Sequence, residues 1–104
     1  MSLPLISVVV SIHRPSKTIK KCLESIKNQT YKNIELVVVD DFDNKENKYL
    51  EFIHRKAKYF QDGPERSIKQ NRGVKEAIGE FVAVIDQDMY LSENVLKSCY
   101  EKII

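Results

Sequence analysis

Three short apolar runs, each rich in β-branched residues and each ending in polar or acidic side chains, constrain this chain more than any other feature. Residues 5–12 centre on Val8-Val9-Val10, residues 34–39 close on Asp40-Asp41, and residues 81–85 close on Asp86-Gln87-Asp88. Predominantly apolar runs of this length suit strands buried on both faces of a parallel sheet. Between them lie stretches of helical period. Ile19, Cys22, Leu23 and Ile26 make one apolar stripe, with Ser16 as candidate N-cap after Pro15. A shorter helix is expected around Tyr49, Phe52 and Ile53, and a short third strand over residues 58–61. Asp62-Gly63-Pro64 marks a turn.

A third helix is expected over residues 65–78 with Ile68, Val74, Ala77 and Ile78 inward. Gly73 weakens its middle, and Gly79 suits its C′ stop. Ser92 can cap a last helix whose Val95, Leu96, Cys99 and Ile103 point inward. Strands alternating with helices predict an α/β domain with a parallel sheet covered on both faces. At 104 residues the chain is expected to be one domain with a thin core.

Bulk charge excludes more than it suggests. The net charge is +2 and the basic residues are mixed with carboxylates, so a solvated surface is expected rather than a nucleic-acid footprint. Cys22 and Cys99 form no CxxC pair and are expected to be buried free thiols, which fits a cytoplasmic chain. No apolar run is long enough to span a membrane, and the first residues do not read as a signal peptide. The three glycines, Gly63, Gly73 and Gly79, cannot build a GxxxxGK[ST] or GxGxxG loop. P-loop nucleotidases and Rossmann dehydrogenases are therefore out. Nucleotidyltransferases want a glycine-rich loop after the first strand, where this chain has His13-Arg14-Pro15.

In an open parallel sheet, ligands bind beyond the carboxyl ends of the strands. There this chain carries Ser11 and His13, Asp40-Asp41, and Asp86-Gln87-Asp88. Two carboxylates one residue apart can hold a hard divalent cation, although a second such pair, Asp41 and Asp43, shows how readily the spacing arises by chance. Neighbouring residues at a strand end point to opposite sides, so one of Asp40 and Asp41 is expected to face a ligand and the other to accept from loop backbone. His13 could touch a ligand or be an ordinary turn histidine, and His54 reads as surface. Arg66, Lys69 and Arg72 could meet a diphosphate if the third helix starts near the site, but a solvated helix face is the plainer reading.

Several blocks together resemble family 2 glycosyltransferases. They are residues 4–10, the helix Cys22-Leu23-Glu24-Ser25-Ile26, residues 29–35, Val37-Val38-Val39-Asp40-Asp41, Asn71-Arg72-Gly73-Val74, and residues 79–88. Their order and spacing match the family across essentially the whole chain. The resemblance implies a GT-A (Rossmann-like) fold, a three-layer α/β/α sandwich with a mainly parallel sheet of order 3-2-1-4. It also implies a nucleotide-diphosphate sugar donor, UDP- or GDP-linked, with Mn2+ or Mg2+. By matching position, Asp41 would read the base, Asp86 would approach the ribose, and Asp88 with Asp86 would hold the metal. Ser11 and His13 would line the base pocket, and Arg66 would stand in for an arginine the family often has where Gln70 lies. The family also tends to have a small residue and then Ser where this chain has Phe42-Asp43, and Tyr or Asn where it has His13. These departures bear on donor identity more than on fold.

Family members continue into an acceptor-binding half that carries the general base. The base is thus expected beyond Ile104, the acceptor is unidentified, and the chain by itself is expected to transfer sugar poorly. The parent protein could associate with the inner face of the membrane. In the family, further strands pair beside the fourth, so its bare edge here predicts self-association. Two other classes compete. One is a non-catalytic nucleotide- or protein-binding module on the same fold. The other is a receiver-like signalling domain, which needs an acidic pair after the first strand and a phosphorylatable Asp after the third; those places hold His13-Arg14 and Gln61-Asp62, and the missing acidic pair disfavours it.

Overall fold

The computed structural model describes residues 3–13, 18–41 and 57–103. Within these, the element order is β1 (Ile6–Ile12), α1 (Ile19–Lys27), β2 (Ile34–Asp40), β3 (Lys58–Gln61), α2 (Arg66–Glu76), β4 (Phe81–Asp86) and α3 (Val95–Ile103). The four strands form one sheet of order β3-β2-β1-β4, every pair parallel. This is the expected topology. The predicted helix around Tyr49, Phe52 and Ile53 and the predicted cap Ser16 lie outside the described residues.

Alternation along β1 divides the core between two faces of the sheet. Ile6, Val8, Val10 and Ile12 pack with Val38, Ile85, the α1 stripe and Leu96 of α3, whereas Val9 packs with Val37, Val39 and Phe60 under α2. The α1 stripe read from the sequence, Ile19, Cys22, Leu23 and Ile26, is buried as expected.

Helix α2 departs from expectation, and the reason is steric. Its buried residues are Lys69 and Gly73, while Ile68, Val74 and Ile78 are exposed. A Cβ on Gly73 would lie 2.2 Å from Cγ1 of Val9, so the helix backbone rests directly on β1. Gly73 is therefore the contact point of α2 and not a weak spot in it. Ala77, rather than Gly79, caps the C-terminus of α2. Gly79 serves a different close approach: a Cβ there would meet the Ser7 and Leu5 backbone at 2.7 and 2.8 Å. Its N–H donates to Ser7 Oγ, which donates in turn to Glu35, and Glu35 also accepts from the Ile78 N–H and pairs with Lys58. Burial pushes the Glu35 carboxyl up, but the hydrogen bonds from Lys58, Ser7 and Ile78 and the Lys58 charge outweigh it and hold it below its ordinary value.

Helix α3 is also corrected in part. Leu96 is buried and Val95 half-buried, but Cys99 and Ile103 are exposed, because the third inward residue is Tyr100, set against Tyr31 and Phe81. Ser92 lies three residues ahead of α3 and is not adjacent to its first turn. The Leu96 N–H is instead satisfied by Oε1 of buried Gln29, at 3.1 Å.

Candidate functional site

Each strand end delivers a side chain to one rim. After β1 and β4, and at the start of α2, Ser11, His13, Pro64, Arg66, Lys69, Asp86, Gln87 and Asp88 enclose a cavity of about 220 Å³. Asp41 lies behind this lining, with its carboxylate bonded to both His13 and Lys69. All the residues singled out from the sequence, namely Ser11, His13, Asp41, Arg66, Asp86 and Asp88, thus converge at this edge. A larger hollow of about 570 Å³ lies at the amino ends of β1 and β2. Its walls are mainly aliphatic, among them Leu5, Leu23, Ile26, Ile34 and Leu36, and it touches none of these carboxylates.

The adjacent aspartates separate as their positions on the strand require. Asp40 is fully buried, accepts the Asp41 N–H at 2.7 Å on one oxygen, and accepts from the Tyr59 hydroxyl at 3.1 Å on the other. Asp41 turns the other way, toward the cavity. Burial pushes its carboxyl up, yet the hydrogen bonds and charges of Lys69 and His13 outweigh that and hold it below the usual carboxylate range. Ionised carboxylate is its resting form at neutral pH.

Asp88 is exposed, and the Thr18 hydroxyl donates to its Oδ1 at 3.1 Å. Thr18 precedes α1 without capping it through its side chain, so its hydroxyl links the start of α1 to the loop after β4. Arg66 lies 3.7 Å from Asp86, a long contact between two side chains open to solvent. Such a pair holds little and leaves both groups available. Gln87 donates through Nε2 to the His13 carbonyl at 2.7 Å, while its buried Oε1 has no partner among the described residues. Below the rim, burial first and then Asp88 and Asp86 push the Cys22 thiol up to about 11, so it stays protonated at neutral pH.

Lys69 is the residue that the sequence misplaces. Its pattern puts Lys69 on a solvated helix face, but the residue is 2% exposed and lines the cavity. The overlooked signal is its spacing: Lys69 lies four residues before Gly73, so both share the face that α2 presses on the sheet. Arg72 is held elsewhere, 3.5 Å from Asp62 and stacked over the Phe60 ring.

Known proteins share this arrangement of elements. Residues 7–104 match the model of glycosyl transferase family 2. Glycosyltransferase GlyA of Streptococcus pneumoniae is 32% identical over 104 residues, spanning 95% of this chain and 15% of that protein. Residues 1–349 of S. aureus TarS, solved in complex with UDP, superpose with a TM-score of 0.77 at 30% identity, over 94% of this chain and 31% of that one. The mannosyltransferase PcManGT from Pyrobaculum calidifontis, solved with GDP-Man and Mn2+, shares the fold at a TM-score of 0.67 and 23% identity, over 84% of this chain and 28% of that one. The chain therefore spans only a third or less of these proteins. The fold is GT-A, and the family resemblance read from the order of the motifs is borne out. The chain belongs to glycosyl transferase family 2.

Proposed function

We propose that this chain forms the donor-binding side of a glycosyltransferase site and holds a nucleotide-diphosphate sugar at the carboxyl edge of its sheet. The convergence of Asp41, Asp86, Asp88 and Arg66 around one cavity carries this reading. Asp41, with Ser11 and His13, takes the base edge, and Asp86 accepts from the ribose. Arg66 meets the diphosphate beside the start of α2, where Glu65 gives no side-chain cap and the first turn holds no acidic residue. A UDP-linked donor is favoured over a GDP-linked one by the likeness to TarS, whose complexes contain UDP and UDP-GlcNAc.

Asp86 and Asp88 offer two hard carboxylates, which suits Mn2+ or Mg2+. Among the described residues no group of three or more His, Cys, Asp or Glu side chains is placed to hold a metal ion by itself. The remaining ligand positions fall to diphosphate oxygens and water, as expected for a cation bound together with a nucleotide. Such a cation supplies neutralisation of the departing diphosphate.

In the transfer, the bond from the sugar anomeric carbon to the diphosphate breaks and one to an acceptor hydroxyl oxygen forms. The hydroxyl proton goes to a general base, expected in an acceptor-binding half beyond Ile104. The carboxylates at this rim are taken up by the donor, so the 104-residue chain is expected to bind nucleotide and transfer sugar poorly. Free Cys22 and Cys99 suit a cytoplasmic setting, and no helix among the described residues is long and apolar enough to cross a membrane.

Calorimetric titration with UDP and GDP, with and without Mn2+, tests the assignment. UDP should bind more tightly than GDP, and Mn2+ should strengthen it. Binding of neither nucleotide at millimolar concentration would remove the donor-site reading.

The open edge of β4 carries a further proposal. Among the described residues β4 pairs only with β1, and its Val82 and Val84 are 40% and 43% exposed beyond the reach of α2. An unpaired apolar edge recruits another strand, so two copies of the chain are expected to associate there. A single monomeric mass in light scattering up to millimolar protein would count against it.

A further inference from the structure

A lysine excluded from water is costly unless its charge is matched. The Lys69 ammonium donates to Oδ1 of Asp41 and to the Pro64 carbonyl, the latter at 3.1 Å. Gly63, at φ +138°, closes over this pair: a Cβ there would sit 3.1 Å from Asp41 Oδ1 and 3.8 Å from the Lys69 stem. Among the described residues the other oxygen, Oδ2, meets the His13 ring alone, and that side chain is 62% exposed. The two oxygens of Asp41 are thus unequal, one sealed against a buried cation and one held by the ring of a largely exposed histidine that lines the cavity.

From this geometry we infer that Lys69 is a positioning residue for nucleobase recognition. It locks Asp41 as an ionised acceptor in one rotamer and leaves Oδ2 for a base that presents a ring N–H. Uracil through N3–H and guanine through N1–H have that edge. Cytosine and adenine lack a ring N–H there and gain less. The inference rests on Asp41 being the base contact. Among the described residues no other charge near Asp41 substitutes for Lys69. Asp40 is turned away into the sheet, Asp62 pairs with Arg72, and Arg66 is exposed beside Asp86. Asp86 and Asp88 line the remaining wall of the cavity.

The test compares Lys69→Met, Asp41→Asn and the double variant for binding of UMP and UDP by NMR titration from about pH 7 down to about pH 4, through the ordinary carboxylate range. Lys69→Met should weaken UMP and UDP by the same factor, about tenfold, as for loss of a charge-assisted contact. Without the ammonium, the Asp41 carboxyl protonates at higher pH and its neutral form is the poorer acceptor. The ratio of wild-type to variant affinity should therefore grow as pH falls. In the Asp41→Asn background, Lys69→Met should add nothing. Lys69→Gln carries the same expectations if Lys69→Met does not fold. The inference is overturned if Lys69→Met binds UMP like the wild type, if it loses UDP but not UMP affinity, or if its loss persists in the double variant. Wild-type UMP affinity in Asp41→Asn alone would instead remove the base-contact reading on which it rests.

Discussion

Replacing Gln29 with Leu is expected to lower stability by about 3 kcal/mol, from three buried polar groups left without their partner. Gln29 is fully buried at the junction of α1 and α3. Its Nε2 donates to the Ser25 carbonyl at 3.0 Å and to the Ser92 carbonyl at 2.7 Å, and its Oε1 accepts the Leu96 N–H at 3.1 Å. Leucine nearly preserves the volume, so the loss reports hydrogen bonding and not a cavity. Not every partner counts in full. Ser92 is exposed and its carbonyl can recover water, whereas the Leu96 N–H sits under a side chain only 3% exposed and cannot. A domain of this size has a total stability on the order of 5–10 kcal/mol, so the variant should lose a large part of it. Urea denaturation should show a lower midpoint with an unchanged slope. A loss below about 1 kcal/mol would mean that water replaces Gln29 and that α1 and α3 are joined by packing alone.

Gln29 also marks where the sequence ceases to be legible. A glutamine two residues past the end of α1 carries no local signal of burial, because its partners Ser92 and Leu96 lie more than sixty residues away. The strands are legible for the opposite reason. Val8-Val9-Val10 and Val37-Val38-Val39 are buried on both faces, so composition alone identifies them, and their ends locate the site without any side-chain detail. The face of α1 is equally plain, since a continuous apolar stripe has one place to go.

Helix α2 misleads because periodicity counts hydrophobicity and not closeness. Ile68, Val74 and Ile78 mark an apolar side, yet the helix meets the sheet through Gly73, where only the absence of a Cβ permits the approach to Val9. The same contact carries Lys69 inward to Asp41, and a charge inside a helix contact contradicts any hydrophobic pattern. Conflicts of this kind tend to fall at sites where stability yields to function. Asp86 and Asp88 lie on the other side of that limit. Their place after a buried strand brings them to the rim, where the structure also puts Arg66 and Thr18 beside them.

Replacing Asp88 with Asn should remove most of the gain that Mn2+ gives to UDP binding, a loss of about tenfold or more. The substitution keeps the shape and leaves a carbonyl oxygen for the Thr18 hydroxyl, which now donates to Oδ1 at 3.1 Å, so the loop after β4 should hold its place. What it takes away is one of the two negative charges that the proposed cation would face beside the diphosphate. Asp86 cannot take over, since its charge already serves in the wild type. Uridine is the internal control. It lacks phosphates, so its affinity should be the same in the wild type and the variant, with or without Mn2+. If Asp88→Asn weakens uridine as much as UDP, Asp88 shapes the base pocket rather than the metal site. If the Mn2+ gain survives intact, the cation takes its ligands from the nucleotide and Asp86 alone, and Asp88 serves only to tie the loop after β4 to the start of α1.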